Sequence, residues 1–290
     1  MAYGAFWFSV MSLLVKLAGQ RLPSIEIVLV RAVITLGLSY ALVRRAKLPL
    51  WGNRRSLLVF RGLLGAAALT CFYFSIVHLP LAEATVIQYT NPVFVAIMAG
   101  VMLGERLGRR ELLGLAGSMV GVLLIARPSF LFGSGSSLDP VHVAIAVAGA
   151  LFSATAYVTV RRLRDIDHPL VVVFYFPIVT VPLVLPFAIR GWIWPTPIEW
   201  LILFGVGTAT QIAQVYMTRG LQLEPAGRAT AVGYLQIVFA ALWGVLLLGE
   251  HPDRWSVLGA AIIIGGTLMV SLTRRATPSP ATVSAPATDA

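Results

Sequence analysis

Charge is what this chain has least of. Asp, Glu, Lys and Arg make up 12% of its 290 residues, against about 25% in an ordinary soluble domain. Cysteine occurs once, at Cys71, inside an apolar run. A single thiol can form neither an intrachain disulfide nor a thiolate cluster for a metal. The four histidines, His78, His142, His168 and His251, are scattered without ligand spacing, and no P-loop is present. Lysine is nearly missing: 20 of the 22 cations are arginine. These shortages argue against a disulfide scaffold, a metal centre, a bound cofactor and ATP-driven chemistry within the chain. The formal charge of +10 does not point to nucleic acid either, because the arginines sit in short clusters between apolar runs.

Apolar side chains are plentiful, at 58%, and the mean hydropathy is +0.85. A soluble fold has no place to hide that much apolar surface, so the expected solvent is a lipid bilayer. A spanning helix needs about 20 mainly apolar residues. Ten such runs are predicted, at 2–19, 24–43, 57–78, 81–103, 110–127, 141–161, 169–189, 198–218, 226–248 and 255–273. The fold class expected is therefore all-α, a polytopic integral membrane protein with ten transmembrane helices. The first run lacks a basic stretch before it and a small-residue cleavage site after it, so it reads as a span rather than a secretory signal.

Positive charge orients the spans. With the amino terminus in the cytoplasm, fifteen Arg and Lys fall inside and four (Arg21, Arg127, Arg190 and Arg254) outside. Both termini are thus expected in the cytoplasm, with Trp192, Trp194 and Trp200 at the outer interface of a bacterial-type inner membrane.

The two halves match at an offset of 145. Residues 84–105, ATVIQYTNPVFVAIMAGVMLGE, align without gaps to 229–250, ATAVGYLQIVFAALWGVLLLGE. The same register pairs Gly4-Ala5 with Gly149-Ala150, Lys16 with Arg161, Pro80 with Pro225 and Gly114 with Gly259. Each half holds an odd number of spans, so the second must lie upside down relative to the first. The expected organisation is a first five-helix repeat at 1–128, a periplasmic linker at 129–139, an inverted five-helix repeat at 140–275 and a disordered cytoplasmic tail at 276–290. Inverted repeats are the frame of many alternating-access carriers, with the site between the halves near the midplane.

Over about residues 1–273 the sequence resembles the drug/metabolite transporter superfamily, in its ten-helix EamA-type branch. Leu79-Pro80-Leu81-Ala82, the stretch Tyr89 to Pro92, and the twice-occurring Leu-Gly-Glu followed by a glycine-rich helix carry the resemblance. It implies export or exchange of small metabolites, often amino acids or organic acids. Ile237 departs from the pattern, since a proline like Pro92 is expected there.

Polar side chains inside lipid-buried helices need a reason. Gln88 and Asn91 share one face of the fourth span. Gln211, Gln214 and Thr218 share one face of the eighth, and Gln236 is the repeat mate of Asn91. These amides are the first candidates for substrate binding; interhelical hydrogen bonding is the competing explanation. Tyr89 and Tyr234, a second symmetric pair, rank next, followed by the aromatics Tyr73 and Trp7, with Tyr157 and Trp243 beside them. A cross-helix ion pair of Lys16 or Arg31 with Glu83 or Glu26 is expected to close an outer gate, or Arg31 to attract a substrate carboxylate. Arg61 also falls within a span. Gly114, Gly117, Gly121, Gly259, Gly265 and Gly266 permit close helix contact, inside the monomer or in a homodimer.

The function expected is a secondary transporter of a small polar or amphipathic metabolite, working as an exporter or exchanger, and not an enzyme. The alternative is an integral membrane enzyme acting on a lipid-linked or amphipathic substrate. That chemistry needs clustered carboxylates or a nucleophile beside a base, and the sequence offers neither.

Overall fold

A computed structural model describes residues 1–79, 81–105, 107–128, 131, 139–248 and 254–272, without the side chains of 76, 77, 81–83 and 248. Most of the expected linker and all of the expected tail lie outside these residues. Among the described residues every regular element is helical. In chain order these are α1 (Ala2–Ala18), α2 (Ser24–Arg45), α3 (Arg55–His78), α4 (Leu81–Gln88), α5 (Asn91–Leu103), α6 (Arg109–Ala126), α7 (Pro140–Arg162), α8 (Pro169–Ala188), α9 (Pro197–Leu223), α10 (Ala226–Ala231), α11 (Leu235–Leu248) and α12 (Arg254–Ser271). Single 3₁₀ turns occupy Ile189–Gly191 and Val232–Tyr234.

Eight helical stretches among the described residues are long and apolar enough to cross a membrane. The chain is a polytopic membrane protein. Two of the expected ten runs do not meet that standard. Helix α1 has 17 residues, and α6 opens on Arg109, Arg110 and Glu111, which dilute its 18 residues with charge.

Local chemistry sets the ends. Asp139 caps α7 by accepting from the Val141 N–H at 2.8 Å, and Pro140 fills the first helical position, where a missing N–H costs nothing. Thr196 and Glu199 form a capping box on α9. His168 caps α8 through an Nδ1 that accepts from the Leu170 N–H. Burial, and next the nearby Arg219, hold the His168 pKa below its ordinary value, which keeps the ring neutral and able to accept at pH 7.

The expected fourth span is broken between α4 and α5. Pro92 has no N–H to give the Gln88 carbonyl, and the Val93 N–H turns to Thr90 instead, at 2.9 Å. The ninth is also broken, at the 3₁₀ turn, although Ile237 stands where the proline was expected. The second break therefore needs no proline. The most extensive helix contacts each join a helix before residue 128 to one after residue 139: α6 with α12, α3 with α7, α1 with α9 and α2 with α8.

Candidate functional site

The two breaks meet. Tyr234 is fully buried, and its hydroxyl donates at 2.9 Å to the Tyr89 carbonyl, which the first break left without its helical partner. The Tyr89 and Tyr234 rings stack with centroids 6.1 Å apart. Tyr234 thus holds the breaks together, while half-buried Tyr89 is the member with surface to spare. Tyr234→Phe should cost about 1 kcal/mol of stability through that lost bond, read as a lower melting temperature in detergent.

The amides divide into two groups. Asn91 is buried, and its amide donates to the Ala150 carbonyl of α7 at 3.2 Å. It joins helices, as the competing explanation held. Gln88 and Gln236 are half-buried and engage no partner among the described residues. Helix α9 carries the richest stripe. Gln211 accepts from Ser39 Oγ of α2 at 2.9 Å, yet its own Nε2 is buried without a partner. Gln214 accepts from an Arg61 Nη2 at 3.4 Å. Thr208 and Thr218, on the same stripe, each bury an unpartnered hydroxyl.

Arg61 is the residue that sequence reasoning passed over. It lies six residues into α3 and is 3% exposed. Its Nε and Nη1 have no partner, and its guanidinium carbon stands 4.9 Å from the centroid of the Phe176 ring. The available signal was an arginine within an apolar run, in a helix with no acidic residue.

Of the residues expected in the outer ion pair, the side chains of Lys16, Glu26 and Arg31 are described. Arg31 is 9% exposed and, among the described residues, donates to Met11 Sδ at 3.9 Å. Glu26 is fully buried, and one of its oxygens accepts from the Ile193 N–H at 2.9 Å. A separation of five residues turns Glu26 and Arg31 about 140° apart on a helix, so the carboxylate reaches the loop after α8 rather than the arginine. Lys16 is exposed near the end of α1, and the Glu83 side chain lies outside the described residues. Near that end, Arg21 donates to Glu199 (Nε to Oε1, 2.7 Å) and to the Trp194 carbonyl at 2.9 Å. The hydrogen bond it gives to Glu199 raises the Arg21 guanidinium pKa above its ordinary value. Trp7 buries an unpartnered Nε1, and Trp243 donates to Ser9 Oγ at 3.0 Å.

At the other end, Glu105 and Glu111 clasp the two halves. Arg161 Nε donates to Glu105 at 2.6 Å, and the second Glu105 oxygen accepts from the Ala226 N–H at 2.7 Å. Glu111 receives Arg228 and also the Gly108 N–H at 2.6 Å. Asp167 accepts the N–H groups of Asn53 and Arg54 at 2.6 and 3.1 Å. Among the described residues no three His, Cys, Asp or Glu come together to hold a metal.

The model of the EamA-like transporter family matches residues 1–127 and 141–272. The chain is 34% identical to the pseudopaline exporter CntI of Pseudomonas aeruginosa, over 93% of this chain and 94% of the relative. It is 30% identical to solute carrier family 35 member G1 of Homo sapiens, over 91% of this chain and 75% of that protein. A crystal structure 20% identical in sequence superposes with a TM-score of 0.82, covering 96% of this chain and 97% of the other, which shows a shared fold.

Proposed function

Because the chain belongs to the EamA-like transporter family, we propose that it is a secondary carrier that moves a small polar or amphipathic metabolite of the amino-acid or organic-acid class by alternating access. The direction we assign is export, as in the relative named a pseudopaline exporter. The membrane we assign is the bacterial inner membrane, with both termini in the cytoplasm, an orientation the arginine clusters support.

One observation carries the reading. A stripe of buried polar groups without partners, on α9 and α3, runs through the contact between the halves. A chain that only needed to pack would fill those positions with apolar side chains. The architecture we assign is ten spans in two inverted five-helix repeats. At the offset of 145, α3 against α7 corresponds to α9 against α1, while α2 against α8 and α6 against α12 each correspond to themselves. The breaks after Gln88 and after Ala231 fall at nearly equivalent places. In this scheme Glu105–Arg161 and Glu111–Arg228 close the cytoplasmic end while the outer end loads or releases.

Counterflow in proteoliposomes tests the reading, with pseudopaline, amino acids and organic acids loaded one at a time. Saturable exchange of at least one compound is expected. Flux that never saturates, or none for any compound, counts against a carrier. Gln236→Leu should reduce exchange about tenfold at an unchanged melting temperature, because Gln236 holds up no neighbour. Asn91→Leu should instead lower the melting temperature, at a cost of about 1 kcal/mol for the bond to Ala150.

A further inference from the structure

We propose that Arg61 is the anion-binding group of this carrier and that its guanidinium takes a carboxylate of the transported molecule, with Gln214 and Gln211 reading polar atoms beside it. This inference rests on the carrier reading above.

A guanidinium presents five N–H donors in a planar fork and never gives up its charge in a protein. Arg61 offers this fork inside the bundle, where burying a cation without an anion costs several kcal/mol. No carboxylate forms an ion pair with it among the described residues. Its one hydrogen bond, to Gln214, is long at 3.4 Å. Nη2 together with an unpartnered neighbouring nitrogen forms the two-pronged edge that matches a carboxylate.

Packing does not account for the residue. At the offset of 145 the position equivalent to Arg61 is Val206, those equivalent to Gln211 and Gln214 are Ala66 and Leu69, and α3 and α9 occupy corresponding places in the helix contacts. The frame is satisfied by apolar side chains at these positions, so the guanidinium and the two amides are additions to it. The surroundings also hold the fork in place. Phe176 lies under the guanidinium. Gly65 leaves room for that ring, since a Cβ there would come within 2.8 Å of it. With Arg61 only 3% exposed, lipid headgroups do not reach it.

The test is ligand-induced thermal stabilisation of the purified full-length protein, with acid and amide partners compared: L-phenylalanine against L-phenylalaninamide and benzoate against benzamide. L-glutamate, succinate and glucose 6-phosphate complete the panel. The expected result is stabilisation by one or more carboxylates, none by the matching amide, and at least a fivefold loss of response in Arg61→Gln, with Arg61→Lys intermediate. Arg61→Met is the folding control. Without ligand it should melt at or above the wild-type temperature, because an uncompensated charge has gone. Equal response to acid and amide overturns the proposal, as does response only to the phosphate, no carboxylate response in the wild type, or a response that survives Arg61→Gln. A large drop in unliganded melting temperature in both Arg61→Met and Arg61→Gln makes Arg61 a packing residue and overturns it too. Counterflow separates this inference from the carrier reading. Saturable exchange of a neutral compound, unchanged in Arg61→Gln, removes the anion site and leaves the carrier. Carboxylate binding with no exchange of any compound does the reverse.

Discussion

Arg161→Met should leave a protein that inserts but is destabilised by about 3–5 kcal/mol, the usual result of stripping one partner from a buried ion pair. The side chain is long enough to fill the space, so the loss is electrostatic. Arg161 gives Nε to Glu105 and an Nη1 to the Gln222 carbonyl at 2.6 Å. Removing it leaves the carboxylate with the Ala226 N–H alone and a carbonyl without a donor. A double-mutant cycle with Glu105→Gln and Arg161→Gln should return a coupling energy of about 1–3 kcal/mol. Reversing the charges should not restore stability. Glutamate at 161 would face the Gln222 carbonyl, and arginine at 105 would face the Ala226 N–H, so the backbone dipoles favour only the native polarity. Transport should fall along with stability, since Glu105 follows α5 while Arg161 and Ala226 belong to the other half. If the double reversal recovers both melting temperature and exchange, the carboxylate is not fixed by its backbone partners. If the cycle shows no coupling, the clasp is not an energetic unit.

The turn that delivers Glu105 depends on Gly104. Its φ of +66° is left-handed, and the reversal lets the Glu105 N–H bond back to the Ala99 carbonyl at 3.2 Å. The Leu-Gly-Glu motif marked this spot in the sequence, and the pairing of Lys16 with Arg161 at offset 145 marked its partner's register. What the sequence did not reveal was that Glu105 and Arg161 meet, because a contact across the halves has no local period. Helix identity and the glycine-rich helices were legible, since each follows from apolar run length or a missing Cβ. The polar groups were harder. Asn91 and Gln211 look alike in a span, yet one is spent on a neighbouring carbonyl and the other keeps a free donor. Only the packing of α7 and α2 against them decides that. Arg61 went unassigned because a single arginine near a helix end usually snorkels. Its contacts are with Phe176 and Gln214, neither of them near it in sequence. The bond from the Ile193 N–H to Glu26 is of the same kind, a contact far apart in sequence that no local pattern announces.

Gly121→Val should be the most damaging of the single changes in the glycine helices, with most of the folded protein lost on solubilisation. A Cβ at Gly121 would sit 2.6 Å from the Gly259 carbonyl oxygen and 2.7 Å from Ile263 Cγ1. Neither can yield cheaply: one is helix backbone, and the other is the side chain of a fully buried isoleucine. Gly114 meets the Gly266 carbonyl at the same 2.6 Å. Helices α6 and α12 therefore touch backbone to backbone at two levels, about two turns apart. Between lipid-solvated helices such contact is a main source of affinity, because lipid supplies no hydrophobic drive for association. Valine would force the axes apart and cost both levels together. Even Gly121→Ala should cost about 1–3 kcal/mol as overpacking. Gly117 and Gly265 provide the internal standard, since a Cβ at either meets nothing within 4 Å. Alanine at those positions should be neutral or add about 0.5–1 kcal/mol through helix propensity. Melting curves of the four alanine variants, at 114, 117, 121 and 265, should thus fall into two groups, the three on α6 alternating between them. Equal losses at 117 and 121 would show that the helix tolerates no side chain for some reason other than the contact with α12. Equal tolerance would show that the two helices can separate without harm, and the α6–α12 contact would then contribute little to holding the halves together.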